Sequence, residues 1–366
     1  MISNDLEFRT KLITFFGVPK TIILQNHNGP CPLLAIANCL VLTNRISFIG
    51  ETFVPASSIV SKIAELVLST STNSTNINAL RLQLDCILTH IPLMSRGLDL
   101  NVKFTSVKAF EFTSDIHVFD ALNIDLFHVW LVDPQDQETY SIIETMSINQ
   151  VYDFLVKSDV AEDTLKRSSY PKSIVQNVLN HIAAENSSGR SSPCQEESLD
   201  PDQVNDLKEV IRRGEVLRSF LAQSKSHITH FGLFQLHADV KERQLAVLYR
   251  NAHFSTIFKY NGKIYSLVSD EGYQFSDLVV WENVSNIDGD TDYCDAEFRQ
   301  HQAFLNIENK KTQCAPHSNL PAVCPDAANV QGDLNIALFL QQQENEAALR
   351  KVPMSESRLK TRCCIS

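Results

Sequence analysis

The stretch Gln25-Asn-His-Asn-Gly-Pro-Cys-Pro-Leu-Leu-Ala-Ile-Ala-Asn-Cys-Leu-Val-Leu42 places a cysteine between two prolines, after a glycine and at the head of an apolar run. Pro32 suits the first turn of a helix, because its missing N–H would have no partner there. From Leu33 to Leu42 apolar residues fall on every face, so the sequence predicts a buried helix. Cys31 then sits at a helix N-terminus, where unpaired N–H groups and the helix dipole favour a thiolate. Gln25, six residues upstream, lies within a loop's reach. Its side-chain amide can donate to an oxyanion developing at an attacked carbonyl. The competing reading of any single cysteine is a buried core position. Cys39, further along the same helix, fits that reading better. The Gly-Pro-Cys-Pro setting and the upstream Gln make Cys31 the candidate nucleophile.

A cysteine nucleophile needs a base, and the chain offers eleven histidines. The informative segment runs from Gln244 to Tyr273, where β-branched and aromatic residues surround Asn261-Gly262, a strong two-residue hairpin signal. In such a turn Tyr260 faces Lys263, and the same register carried along the strands puts His253 opposite Asp270. Directly opposed residues of an antiparallel pair project from one face. Asp270 would thus sit beside the imidazole, fixing its tautomer and stabilising the imidazolium, the task of the third member of a catalytic triad. A lone histidine on a strand is more often structural or merely exposed. The matched aspartate singles out His253.

Together these segments resemble a known family, the MINDY deubiquitinases. The elements that carry the resemblance are Gln25 with Asn28-Gly-Pro-Cys-Pro-Leu-Leu-Ala-Ile36, Gly97-Leu-Asp-Leu-Asn-Val102, Trp130-Leu-Val-Asp-Pro134 and Arg250-Asn-Ala-His-Phe-Ser-Thr256. Asp270-Glu-Gly272, Val280-Trp-Glu282 and Asp288-Gly-Asp290 complete the set, in the family's order, over roughly residues 10 to 300. The resemblance implies an α+β papain-like cysteine peptidase, with a helical part carrying the Cys packed on a small antiparallel sheet carrying the His. It implies cleavage of polyubiquitin, with preference for chains linked through lysine 48 of ubiquitin. Carried over, Cys31 is the nucleophile, His253 the general base and Gln25 the oxyanion donor. Asp270 stands where the family also has an acidic residue, and its role rests on the register argument. Trp130 reads either as core packing or, by resemblance, as lining the ubiquitin groove. Asp99 is an exposed turn acid by default and a substrate contact by resemblance only.

Composition points the same way. A chain of 366 residues can bury a large core. With 32 basic against 43 acidic residues the net charge is −11, which argues against a nucleic-acid partner. An acidic surface suits ubiquitin's basic recognition face. Nine cysteines without regular spacing do not form a disulfide framework. No C-x-x-C pair suggests zinc, and no cofactor is expected. The N-terminus carries Asp5 and Glu7 and lacks a hydrophobic core segment, so no secretory signal is expected there, and no apolar run approaches the roughly 20 residues that span a bilayer. The expected setting is cytoplasmic, with reduced thiols.

The catalytic part is expected over residues 1–305. Residues 10–24 read as strands, 57–69 and 78–91 as helices, and 100–132 as short strands around a helix at Val118–Leu122. Residues 146–160 and 202–222 read as helices, separated by a Ser-, Gly-, Pro- and Glu-rich insertion near 185–205. A third strand at Val279–Trp281 should join the hairpin.

Residues 306–332 read as linker. Asp333–Glu344 then begins a short amphipathic helix, within 333–349, with Leu334, Ala337 and Leu338 on one face. It resembles a ubiquitin-interacting helix, and docking on the parent domain is the competing reading. The terminal Cys363-Cys-Ile-Ser366 is a C-a-a-X box of the farnesylated type, with Arg350, Lys351, Arg358, Lys360 and Arg362 just upstream in the 350–366 tail. One lipid chain and a basic patch together suit an anionic membrane surface, so peripheral membrane association is expected. Two other functions fit the same chain. One is a catalytically silent polyubiquitin-binding module, against which the intact Gln25, Cys31 and His253 speak. The other is a papain-like peptidase or acyl transferase on another substrate.

Overall fold

A tight turn at Phe16-Gly17, both at positive φ (49° and 77°), folds the start of the chain into a hairpin of β1 (Glu7–Phe15) and β2 (Val18–Ile23). The computed structural model that shows this describes residues 6–26, 29–71, 97–98, 100–113, 115–168, 200–285 and 292–300, with a few positions between 85 and 94. The chain divides into Met1–Asn306 and Ile307–Ser366, and the described residues belong to the first unit. After β2 the chain enters helix α1 (Cys31–Leu42), followed by β3 (Phe53–Pro55) and α2 (Ala56–Ser71). β3 pairs with β1, so a three-stranded antiparallel sheet runs β2-β1-β3. Next come α3 (His117–Ala121), β4 (Leu126–His128), α4 (Gln137–Ile143), α5 (Ile148–Ser168), α6 (Pro201–Gln223) and α7 (His230–Asp239). Five strands close the unit: β5 (Leu245–Arg250), β6 (His253–Tyr260), β7 (Lys263–Leu267), β8 (Trp281–Asn283) and β9 (Tyr293–Cys294).

The second sheet runs β4-β5-β6-β7-β8-β9. Its β4–β5 pair is parallel and the rest are antiparallel. The sequence suggested a smaller, purely antiparallel sheet. β4 was hidden because its partner lies more than a hundred residues on, across the four helices α4 to α7, as a parallel pairing requires a long crossover. The mixed helix-and-sheet class itself holds. The helices expected at 57–69, 146–160 and 202–222 are α2, α5 and α6, and Val118–Leu122 falls on α3. The 78–91 helix lies largely outside the described residues and the 306–366 segments wholly so. Of the insertion expected near 185–205, residues 185–199 also lie outside them, while 200–205 instead form the N-cap and first turns of α6.

Both faces of the larger sheet are covered, and that placement fixes the site. On one face α1 packs on β6, β5 and β2. Every residue of α1 from Pro32 to Leu42 is buried, so only its first residue reaches the surface. Two polar side chains hold the helix in place. Asn38 accepts from the Ile23 N–H at 2.7 Å and donates to the Ile23 carbonyl at 2.9 Å, tying α1 to the end of β2. Thr256 donates to the Ala35 carbonyl at 2.9 Å, tying α1 to β6. These buried groups would be costly if left unpaired, so the arrangement is specific in position. On the other face Phe127, Val129, Ala246, Leu248, Ile257 and Ile264 pack with Leu233 and Leu236 of α7.

Candidate active site

Three loops meet at one end of this assembly. The first leaves β2 at Gln25 and enters α1 at Cys31. Its Gly29 N–H donates to the Asn26 carbonyl at 2.9 Å. A Cβ at Gly29 would lie 2.7 Å from Asn26 Oδ1, so any larger residue would displace the Asn26 side chain that lines the cleft. The second is the β5–β6 turn, Asn251-Ala252, with φ of 49° and 56°, which aligns Arg250 with His253. The third follows β7 and carries Asp270. An open cleft of about 820 Å³ lies between them, with Gln25, Asn26, Arg250, His253, Asp270 and Glu282 in its wall.

Cys31 is half-buried at the first position of α1, and Pro30 before it supplies no side-chain cap. Its Sγ is within hydrogen-bonding reach of the Phe254 backbone, one residue beyond His253. Burial raises the thiol pKa, and the Phe254 and Cys31 backbone amides oppose that rise without cancelling it. Desolvation thus outweighs the helix-terminus effect that the sequence suggested. His253 has exposed surface, yet it sits in the concave cleft wall, where desolvation lowers its pKa. The imidazole makes no hydrogen bond to any described residue. The chain therefore brings a neutral thiol and a neutral imidazole to the same strand terminus as an uncoupled pair. Catalytic hydrogen bonds are often formed only with substrate in place.

Gln25 is fixed through its backbone. Its N–H donates to the Ser269 carbonyl at 2.5 Å, and its own carbonyl accepts from Glu271 N–H at 3.1 Å. Its side-chain Nε2 donates to the Gly29 carbonyl at 3.0 Å, which points the amide along the loop that ends at Cys31. One of the two N–H groups on that nitrogen is left for another acceptor.

Asp270 departs from the expected arrangement. The Asn261-Gly262 turn forms, and the register is the expected one from Tyr260–Lys263 to Ile257–Ser266. Pairing then stops. Val268 N–H turns away to the Val280 carbonyl at 2.9 Å, and Ser269 is taken up by Gln25. Asp270 instead pairs by backbone with Gln25, and its carboxylate caps the 3₁₀ turn Glu271–Tyr273 by accepting from Gly272 N–H at 2.6 Å. It shares the cleft with His253 without bonding to it. Two other histidines are held inside the fold, His128 fully buried and His227 half-buried against Trp130. Burial pushes His128 and His227 down to about 4, with the Arg250 charge adding to the effect on His227.

The family model for the MINDY deubiquitinases matches residues 6–298, which include Gln25, Cys31, His253 and Asp270. The chain belongs to the MINDY deubiquitinase family. Among similar curated proteins, ubiquitin carboxyl-terminal hydrolase MINDY-1 of Danio rerio is 30% identical over 342 residues, covering 92% of this chain and 56% of that protein. The Homo sapiens protein of that name is 31% identical over 293 residues, covering 79% of this chain and 53% of that protein. Ubiquitin carboxyl-terminal hydrolase MINDY-2 of Bos taurus is 33% identical over 281 residues, 76% of this chain and 38% of that protein. The chain thus spans about half the length of the MINDY-1 proteins and less of MINDY-2.

Within the MINDY match, Trp130 takes the packing role of its two readings. It is 4% exposed, donates its indole N–H to Ser224 Oγ at 2.7 Å and stacks on His227 at 3.7 Å. No face is left for a substrate. Asp99, Leu334, Ala337, Leu338 and Cys363 lie outside the described residues. Sequence reasoning overlooked Asn26, Arg250 and Glu282 as cleft residues. Burial raises the Glu282 pKa while Arg250 opposes the rise. Their signal was present, because Arg250 and Glu282 both stand in the motifs quoted above. Among the described residues no cluster of three or more His, Cys, Asp or Glu is placed to hold a metal.

Proposed function

We propose that this chain is a cysteine-type deubiquitinase that hydrolyses isopeptide bonds in lysine-48-linked polyubiquitin on a papain-like framework. The observation that carries the proposal is Cys31 at the head of a buried helix, with its Sγ against the backbone of Phe254, beside His253. In this reading His253 takes the thiol proton as Cys31 attacks the isopeptide carbonyl, and later delivers it to the leaving lysine amine. Gln25 donates its amide to the tetrahedral oxyanion. Asp270 serves from the cleft wall through Gln25, since its carboxylate is occupied at Gly272. The neutral resting pair suits a site that couples only when a ubiquitin tail enters the cleft. A ubiquitin-based electrophilic probe tests this directly. Covalent capture at Cys31, abolished in Cys31→Ala and strongly reduced in His253→Ala, is the expected result. A wild-type chain that binds polyubiquitin without forming an adduct would favour the catalytically silent reading.

The 333–349 helix, through Leu334, Ala337 and Leu338, is proposed as an accessory ubiquitin contact, with Asp99 as a further substrate contact. Farnesylation of Cys363, with Arg358, Lys360 and Arg362 upstream, would hold the protein at an anionic membrane. No described helix is long and apolar enough to cross one. The intact mass of the C-terminal peptide from a membrane fraction decides the matter. A modified Cys363 is expected, and an unmodified Cys-Cys-Ile-Ser terminus in that fraction refutes lipidation.

A further inference from the structure

Lys11, on β1, lies outside the cleft wall and is only 4% exposed. Its ammonium donates to three backbone carbonyls: Tyr273 at 3.0 Å, Ser276 at 2.6 Å and Val279 at 2.7 Å. Every N–H of the lysine is thus used. Burial lowers the Lys11 pKa, with Asp277 opposing. Burying a cation is unfavourable, and an apolar side chain could fill the same space without that penalty. What the ammonium adds is a fixed position for three carbonyls. All three belong to the segment 269–279, which crosses from β7 to β8 along the edge of the cleft. The other end of that segment is bound to Gln25 by the Ser269 and Glu271 backbone bonds. β1 grips it again through Gln274 Nε2 donating to the Thr10 carbonyl at 3.3 Å and the Arg9–Glu271 pair at 3.9 Å. Among the described residues of the Cys31 loop, Gln25 and Asn26 line the cleft, and both lie next to this anchorage.

We propose that Lys11 is a positioning residue for the oxyanion side of the site. By fixing the 269–279 strap, it sets the backbone of Gln25 and hence the place to which the Gln25 amide is delivered. This rests on the reading of Gln25 as oxyanion donor. Lys11 touches no reacting atom, so its effect must pass through Gln25.

The test is Lys11→Met in the full chain, read by hydrogen exchange and by steady-state cleavage of lysine-48-linked ubiquitin chains. Exchange at the Gln25 and Glu271 amides should speed up by about tenfold or more, because these bonds hold the strap to the catalytic loop. Displacing a catalytic group slightly should lower kcat by roughly tenfold to a hundredfold, with KM held within about twofold. In a Gln25→Ala background, Lys11→Met should cost less than about twofold more, since both changes remove one function. Three results would overturn the proposal: unchanged exchange at Gln25, a loss confined to KM, or losses that multiply fully in the double variant. If Lys11→Met does not fold, the surface change Gln274→Ala loosens the same strap. A non-additive drop in kcat of about threefold then supports the proposal, and wild-type kcat and exchange overturn it. A wild-type chain without activity would sink the catalytic reading of Gln25. The exchange measurement would still decide whether Lys11 holds that residue.

Discussion

At the residue scale, Cys31 shows two effects in competition. A helix N-terminus lowers a thiol pKa, whereas an apolar surround raises it. Here Pro30 precedes the helix without a side-chain cap and the rest of α1 is buried, so desolvation dominates and the Cys31 pKa rises. The sign is then fixed: at any pH the resting thiolate fraction is smaller than that of a free thiol. Iodoacetamide labelling, followed by mass mapping of the Cys31 peptide, should run slower at pH 7 than for an unstructured cysteine peptide. The rate should keep climbing with pH beyond the ordinary thiol range. His253, with its pKa lowered, stays neutral at pH 7 and remains able to accept a proton. Labelling at pH 7 as fast as the peptide's would show that the pair is already charged at rest, and the uncoupled description would fall.

At the element scale, the two hairpins of the larger sheet differ in how openly their sequences declare them. Asn261-Gly262 suits a two-residue turn with both φ positive, and Glu242 accepts from both of its N–H groups, at 2.6 and 3.1 Å. Asn251-Ala252 adopts the same geometry with φ of 49° and 56°. Alanine gives no sign of this, because its Cβ disfavours the left-handed region. The unheralded turn is the one that sets His253 at the head of β6. Ala252→Gly should therefore stabilise the fold by about 0.5–1 kcal/mol, and Gly262→Ala, at φ 73°, should destabilise it by about 1 kcal/mol. Urea unfolding of the two variants checks this, and a destabilised Ala252→Gly would contradict the strain argument. Asp270 was misplaced for a related reason. A register read from a turn holds only while the ladder continues, and this ladder ends at Ile257–Ser266. Where the strand leaves it is decided by Gln25 and Val280, which are remote in sequence.

At the scale of the whole molecule, what the sequence disclosed was local. The buried helix, the Asn-Gly hairpin and three helices follow from periodicity and turn chemistry within short windows. The parallel β4–β5 pair and the Lys11 strap depend on contacts between distant parts of the chain, and no window contains them. β4 and the residues after it also join two hydrophobic clusters, because Leu126 and Trp130 belong to one and Phe127 and Val129 to the other. His128 sits at this join, 1% exposed. Its Nδ1 accepts from Trp130 N–H at 3.3 Å while Nε2 lies 3.1 Å from the Ala109 carbonyl, an arrangement that the neutral Nε2–H tautomer satisfies. Protonation would set a second donor against the Trp130 N–H.

With its pKa pushed down to about 4, His128 favours the folded state fully above the ordinary histidine value of 6.5. That contribution is lost as pH falls from 6.5 towards 4, amounting to about 3 kcal/mol. His227, stacked on Trp130 and likewise near 4, acts in the same direction. Unfolding free energies measured in urea at pH 7.5, 5.5 and 4 should therefore decline steeply. In His128→Gln, which keeps a donor and an acceptor but cannot be charged, the decline should shrink by about 3 kcal/mol, leaving the share due to His227 and the carboxylates. An identical decline in the variant would mean that His128 is protonated without cost, and that the join between the two clusters is looser than its hydrogen bonds imply.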